Sequence, residues 1–342
     1  MKRTGLFLAL ALVAATPLTS QNGWNGDAET CYQATKKIKP TDGDIAACTR
    51  AIQSAQLSEG SLANTYDNRG IAWGDRGEYD KAIADFSEAL RIHPNYAEAY
   101  NGRGIAWENK GDYDKAIADY GRALHVNPDF ANAYNNRGSV WNRKGEYDKA
   151  ISDFNKALRI DANDAPAYYN RGNAWSHKGE CDKAIADFSE ALRINPNYAG
   201  AFNNRGFAWN QKGEYDRAIS DFDAALRINS KYVSALVGRG VVWNAKGEYD
   251  KAIADFQSAI GIDSSNSYSP LLLAIAQMHK GQEDIATDLR RESATLRSDW
   301  PLPIVQFYLG QMSESALTDA AKDTDPQKEK VRLCNLHYYL GE

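Results

Sequence analysis

Apolar and small side chains recur along this chain in two alternating helical patterns. Between Ala131 and Asp164, the residues Ala133, Tyr134, Gly138, Val140 and Trp141 fall on one helical face, which predicts a first amphipathic helix. Lys144-Gly145 ends it, because glycine enters the left-handed conformation of a helix stop at little steric cost. Glu146-Tyr147-Asp148 makes the turn, with Asp148 as the expected cap of the next helix. That second helix carries Ala150, Ile151, Phe154, Ala157 and Leu158 on one face. Small Gly138 and Ala150 let the two helices approach closely, and bulky Trp141 and Phe154 fill the space beside them. Pro94, Pro128 and Pro196 close three of the second helices, since the residue before proline avoids the helical region.

The same hairpin returns without a gap at 63–96, 97–130, 131–164, 165–198, 199–232 and 233–266. Arg69, Arg103, Arg137, Arg171, Arg205 and Arg239, each followed by glycine, stand 34 residues apart, and Trp73, Trp107, Trp141, Trp175, Trp209 and Trp243 keep that step. A period of this length predicts a stacked array, each unit burying its apolar face against its neighbours. The expected fold is therefore all-α, a solenoid of antiparallel helix pairs, with function on an extended surface. Asp85, Asp119, Asp153, Asp187, Asp221 and Asp255 recur in the second helices. The hairpin brings each alongside the arginine of its own copy, so an Arg–Asp ion pair is expected within every repeat. The alternative, a ladder of anion-binding arginines, fits the matching aspartates less well.

Tyr134-x2-Arg137-Gly138-x2-Trp141, then Ala150-x3-Phe154 and Ala157, resembles the tetratricopeptide repeat. Arginine stands where that family has leucine before glycine, and the tryptophan and tyrosine places are exchanged. The sixth copy has Leu236 for Tyr or Phe, and Ser264 where proline is common. The resemblance implies a right-handed superhelix whose inner groove, lined by the first helices, binds peptides. Carried onto this chain, the groove positions are Asp67, Asn68 and Ile71, then Asn101, Ile105 and Glu108, then Asn135, Asn136, Ser139 and Asn142. Tyr169, Asn170, Asn173 and His177 follow, then Asn203, Asn204, Phe207 and Asn210, then Val237, Val241 and Asn244. Amides both donate and accept, which suits an extended backbone read with little sequence preference. A solvated polar face without a ligand is the alternative. Of basic residues that could clamp a terminal carboxylate there are only Arg143 and Lys110, so such a ligand is not expected.

The ends are irregular. Residues 21–62 read as a capping hairpin, in which Asp44 to Ile52 mirrors Ala82 to Leu90 with Cys48 in the place of Phe86. Residues 267–300 read as a worn seventh copy, with Gly281 in phase with Gly247 and Arg290-Arg291 at the aromatic place. Residues 301–342 read as C-terminal capping helices, similar to the C-terminal half of periplasmic repeat proteins of the NlpI type. Their apolar Leu333, Leu336 and Tyr339 pack either on the preceding helix or on a second copy, so a homodimer is open.

Lys2 and Arg3 precede an apolar run from Leu6 to Ala15 and then Thr16 to Ser20. This pattern predicts a secretory signal over 1–20, too short to span a bilayer, and no later segment is apolar enough to do so. Export to the periplasm or outside permits disulfides. Cys31 and Cys48, in the two halves of the capping hairpin, are the expected pair, with free buried thiols as the alternative. Cys181 takes the place held elsewhere by Tyr79, Tyr113, Tyr147, Tyr215 and Tyr249 and reads as a core substitution; Cys334 stands apart. A net charge of −5 argues against a nucleic-acid partner. No metal-ligand spacing, phosphate loop or nucleophile–base arrangement is present, so neither cofactor nor enzymatic activity is expected. The expectation is an exported scaffold that binds protein segments. The alternatives are an envelope enzyme using Glu314, Asp319, Asp323, Asp325 or His337 in the tail, or a polysaccharide binder using exposed amides and aromatics.

Overall fold

The computed structural model describes residues 26–37, 39–54, 56–264, 268–281 and 314–322. Residues 1–25, most of the seventh copy, residues 301–313 and 323–342, and with them Asp323, Asp325, Cys334 and His337, lie outside them. The chain forms two compact units, 1–163 and 164–342. In the first, α1 (Gly26–Ala34) and α2 (Asp42–Gln53) are followed by α3 (Glu59–Asp75), α4 (Tyr79–Ile92), α5 (Ala97–Lys110), α6 (Tyr113–Val126), α7 (Ala131–Arg143) and α8 (Tyr147–Ile160). In the second are α9 (Ala165–His177), α10 (Cys181–Ile194), α11 (Ala199–Gln211), α12 (Tyr215–Ile228), α13 (Val233–Ala245), α14 (Tyr249–Ile262), α15 (Tyr268–His279) and α16 (Glu314–Ala321). No strand occurs among the described residues. Within each unit a first helix packs on the second helix of its own copy, which packs in turn on the next first helix. α3 begins four residues ahead of Ala63, capped by Ser58.

The hairpins close as their glycines require. Gly145 has φ +77°, and its equivalents in every other copy are also left-handed. The core contact joins a glycine to a ring. A Cβ on Gly138 would come within 2.8 Å of the Phe154 ring, and one on Gly102 within 2.7 Å of Phe86 of the preceding copy. Phe154 is fully buried. Trp141 is only half-buried, with the Lys149 ammonium 4.6 Å from the centre of its ring. The tryptophans are partly buried and pack against the core from its edge, as Trp73, Trp107, Trp209 and Trp243 do.

Each arginine grips its aspartate with two parallel bonds. Arg137 Nε and Nη2 donate to Asp153 Oδ2 and Oδ1 at 2.7 and 2.8 Å, and the other five pairs repeat this fork. The hydrogen bond to Asp153 holds the Arg137 guanidinium above its usual pKa. In several copies the third arm crosses to the preceding repeat. Arg69 Nη1 donates to Thr49 at 3.0 Å, Arg103 to Ser87 at 3.0 Å and Arg205 to Ser189 at 2.9 Å, while Arg239 reaches Asp223.

Two sequence expectations change. Asp148 is not the cap: α8 starts at Tyr147 with Glu146 at the cap, and Asp148 lies in the first turn. Its equivalents serve a different end, pairing with a lysine 30 residues on, as Lys144 does with Asp114 at 2.5 Å and Lys280 with Asp250 at 2.5 Å. Being exposed, each such pair contributes at most about 1 kcal/mol. Cys181 is not a core substitution either; it is half-exposed in the first turn of α10, beside Gln211 Oε1 at 3.2 Å.

In the N-terminal hairpin Cys31 and Cys48 are bonded and fully buried. Thr41 and Asp44 form a capping box at the start of α2. Bonds from Lys37 and then Thr41 hold the Asp44 carboxyl down at about 2.

Two outcomes follow from these locks. Asp153→Ala leaves a largely buried guanidinium unpaired and should cost about 3–5 kcal/mol in urea unfolding; a cost under about 1 kcal/mol would contradict the fork as a buried pair. Reducing Cys31–Cys48, which closes a loop of 17 residues, should cost on the order of 3 kcal/mol, and an unchanged melting curve under reductant would count against it.

Candidate protein-binding face

The fork and the glycine use one side of every first helix. The opposite side carries the positions that differ between copies, and within each unit these sides lie in a row. In the first unit the row comprises Asp67, Asn68 and Ile71 on α3, Asn101, Ile105 and Glu108 on α5, and Asn135, Asn136, Ser139 and Asn142 on α7. In the second it comprises Tyr169, Asn170, Asn173 and His177 on α9, Asn203, Asn204, Phe207 and Asn210 on α11, and Val237, Val241 and Asn244 on α13.

Many of the amides are tied to the neighbouring copy. Asn136 Nδ2 donates to Asn101 Oδ1 at 3.1 Å. Asn204 Nδ2 donates to Asn173 Oδ1 at 2.7 Å and to the Tyr169 hydroxyl at 3.1 Å, and Asn203 Nδ2 donates to Asn204 Oδ1 at 2.9 Å. His279 Nδ1 lies 3.2 Å from Asn244 Oδ1. Aromatic residues are packed in as well: Tyr169 stacks on Tyr198 at 4.8 Å between ring centres, and Phe207 meets Phe222 edge-on at 5.1 Å. The face is thus a cross-bonded surface in which donors are largely used. Three buried acceptors on it, Asp67 Oδ1, Asn142 Oδ1 and Asn203 Oδ1, have no hydrogen-bond donor. A buried acceptor without a partner is costly.

The basic residues near the face are engaged. Arg143 pairs with Glu108 at 3.0 Å, Glu108 also accepts from the buried Tyr120 hydroxyl at 2.9 Å, and Lys110 pairs with Asp80. No group of His, Cys, Asp or Glu side chains able to hold a metal occurs among the described residues.

Asp67 departs from its row. It is 6% exposed, and among the described residues its one hydrogen-bond donor is the Tyr96 hydroxyl, 3.5 Å from Oδ2. Burial, and then the nearby Glu98 carboxylate, push its pKa up to about 7. Burial raises Asp75 on the same helix to about 7 as well. The sequence carried a signal of this, an acid in register with Asn101, Asn135 and Asn203, but its burial could not be read there.

Comparison with known families decides the relationship. A TPR repeat profile matches residues 75–111, and tetratricopeptide repeat profiles match 109–165, 165–198 and 210–267, together more than half of the chain. The chain belongs to the tetratricopeptide repeat family. A search of curated proteins found no match. Among solved structures it is similar to the Cut9–Hcn1 hetero-tetramer of the APC/C, with TM-score 0.60 and 18% identity over 83% of this chain and 54% of that one. It is similar to PilF of Pseudomonas aeruginosa, with TM-score 0.57 and 18% identity over 64% and 98% of the two chains. A tetratricopeptide repeat protein of Parabacteroides merdae gives 0.54 and 20% over 74% and 100%. At these identities the likeness is one of fold.

In this tetratricopeptide chain Asp67 and Asp75 keep their protons to about pH 7 when folded and to about pH 4 when unfolded. The folded state holds more protons in that window, so the stability these groups contribute is present below about pH 4 and is lost as pH rises through 7. Asp67→Asn, which repeats the residue of three other copies, should add about 1–3 kcal/mol at pH 8 and nothing at pH 4. Denaturation at the two pH values measures this, and equal effects at both would contradict the burial of an unpartnered carboxylate.

Proposed function

We propose that this protein is an exported, non-enzymatic scaffold that binds extended segments of a protein partner along the polar face of its first helices, in the periplasm or outside the cell. The observation that carries this reading is the division of every first helix. One side repeats the same arginine and glycine to hold the fold, and the other varies from copy to copy. Such a division fits a surface whose ligand is supplied by another chain. An extended backbone brings N–H donors at regular intervals, and asparagines in register along a row can accept from it without selecting side chains. Family membership supports a protein or peptide partner. Two features support export: the charged, apolar and small-residue pattern of residues 1–20, and the buried Cys31–Cys48 disulfide, which persists in an oxidising compartment. No helix among the described residues is long and apolar enough to cross a membrane.

The test is capture of envelope proteins on the purified chain, followed by mapping of each captured partner on arrays of overlapping peptides. Binding should fall on short continuous segments, and Asn204→Ala with Asn210→Ala should weaken it by about tenfold or more, roughly 1.4 kcal/mol, without loss of helicity. Capture unaffected by the double variant would remove the face from the binding reaction.

A further inference from the structure

The two units differ in the charge of this face. In the second, the places at the turns facing away from the second helices hold Tyr169, Asn173, Asn203, Asn204, Phe207 and Asn210, with no carboxylate. In the first, α3 carries Asp67 and Asp75, and α5 carries Glu98 and Glu108. Glu108 is answered by Arg143 at 3.0 Å. Among the described residues no ion pair reaches Asp67, Asp75 or Glu98.

Packing does not explain the carboxylate at Asp67. Asn203 occupies the equivalent place in the second unit at 3% exposure, against 6% for Asp67, and Asn101 and Asn135 hold it in two further copies. An amide therefore fits the site, and a charge there is costly unless something pairs with it. The Tyr96 hydroxyl, at 3.5 Å, reaches one oxygen only; Oδ1 has no donor. Tyr96 stands at the cap of α5 and Glu98 in its first turn. Glu98 is exposed and near enough to raise the energy of a charge on Asp67. The Tyr96 hydroxyl ties Asp67 to the cap of α5, whose first turn carries the exposed Glu98, so a cation bound before that turn would offset the repulsion between the two carboxylates.

We propose that Asp67 and Glu98 form an anionic recognition point for a lysine or arginine side chain of the bound protein segment. This rests on the reading that the face binds polypeptide, and it gives that polypeptide a charge. Glu98 meets the incoming ammonium or guanidinium at the surface. Asp67, in a less polar surrounding, adds attraction that solvent and salt screen less. Tyr96 and Glu98 are the titratable groups acting on Asp67, and a bound cation favours its ionised form. Affinity for a cationic segment should therefore rise with pH up to and through about 7.

The experiment uses the purified protein and a labelled decapeptide of alternating glycine and arginine, with a citrulline-for-arginine peptide as its neutral match, followed by fluorescence anisotropy at pH 8. The arginine peptide should bind about tenfold more tightly than the citrulline peptide. Asp67→Asn and Glu98→Gln should each remove most of that difference and leave citrulline binding unchanged. Asp129→Asn, which alters net charge equally at an exposed loop carboxylate, should change neither. Folding of the Asp67→Asn variant is secured by the asparagines of the other copies. Equal affinity for the two peptides, or an arginine preference that survives Asp67→Asn and Glu98→Gln, overturns the proposal. If that preference survives while Asn101→Ala with Asn136→Ala weakens both peptides, the anionic point falls and the polypeptide-binding face stands. If neither peptide binds, both fall.

Discussion

The architecture depends on a guanidinium held in one place. Arg137 is fixed by two bonds to Asp153 across its own hairpin, and elsewhere the third arm of the same group reaches back to Thr49, Ser87, Ser189 or Asp223 of the copy before. A planar fork of five donors can join two helices of one repeat and a third from its neighbour; a lysine could not hold that geometry. The glycine next to each arginine lets an aromatic ring of the second helix, Phe or Tyr120, lie against bare backbone. Arginine, glycine and ring together set both the distance within a hairpin and the approach of one hairpin to the next.

This arrangement has a consequence for function. Because the fork and the glycine secure one side of each first helix, the other side can differ from copy to copy. On the proposed reading, its variation follows what it binds. In the second unit the row is neutral, rich in asparagine and aromatic rings, and internally bonded through Asn204. In the first it gathers carboxylates, one of which, Asp67, is buried at a cost to stability that a neutral residue would avoid. On the proposed reading, a site that lowers stability where neighbouring copies show a cheaper solution serves binding rather than folding.

Much of this was legible in the sequence because repetition supplies its own control. Positions identical in six copies, such as the arginine and its aspartate, separate from positions that change, such as Asp67, Asn101 and Tyr169. Helix ends were legible from the glycine that follows each first-helix apolar pattern, where the left-handed conformation is needed. What stayed hidden depends on contacts between copies. Asp148 has the right chemistry for a cap, but its register equivalents pair with a lysine 30 residues on, and nothing in a single repeat shows that partner. Trp141 has the bulk of a core residue, yet it lies at the hairpin edge under Lys149. Cys181 follows a tyrosine place that is itself only half-buried, so its pattern looked like core. The hydrogen bond on Asp67 comes from Tyr96 at the cap of α5, 29 residues away.

The central claim is that partners lie along the first helices and not along the second. Site-specific photocrosslinking tests it most directly, with a benzophenone side chain placed at Asn101 or Asn210 on the variable face, and at Ala186 on the exposed side of α10. The account requires crosslinks to a captured partner from Asn101 or Asn210 and none from Ala186. Crosslinking confined to Ala186 would contradict it.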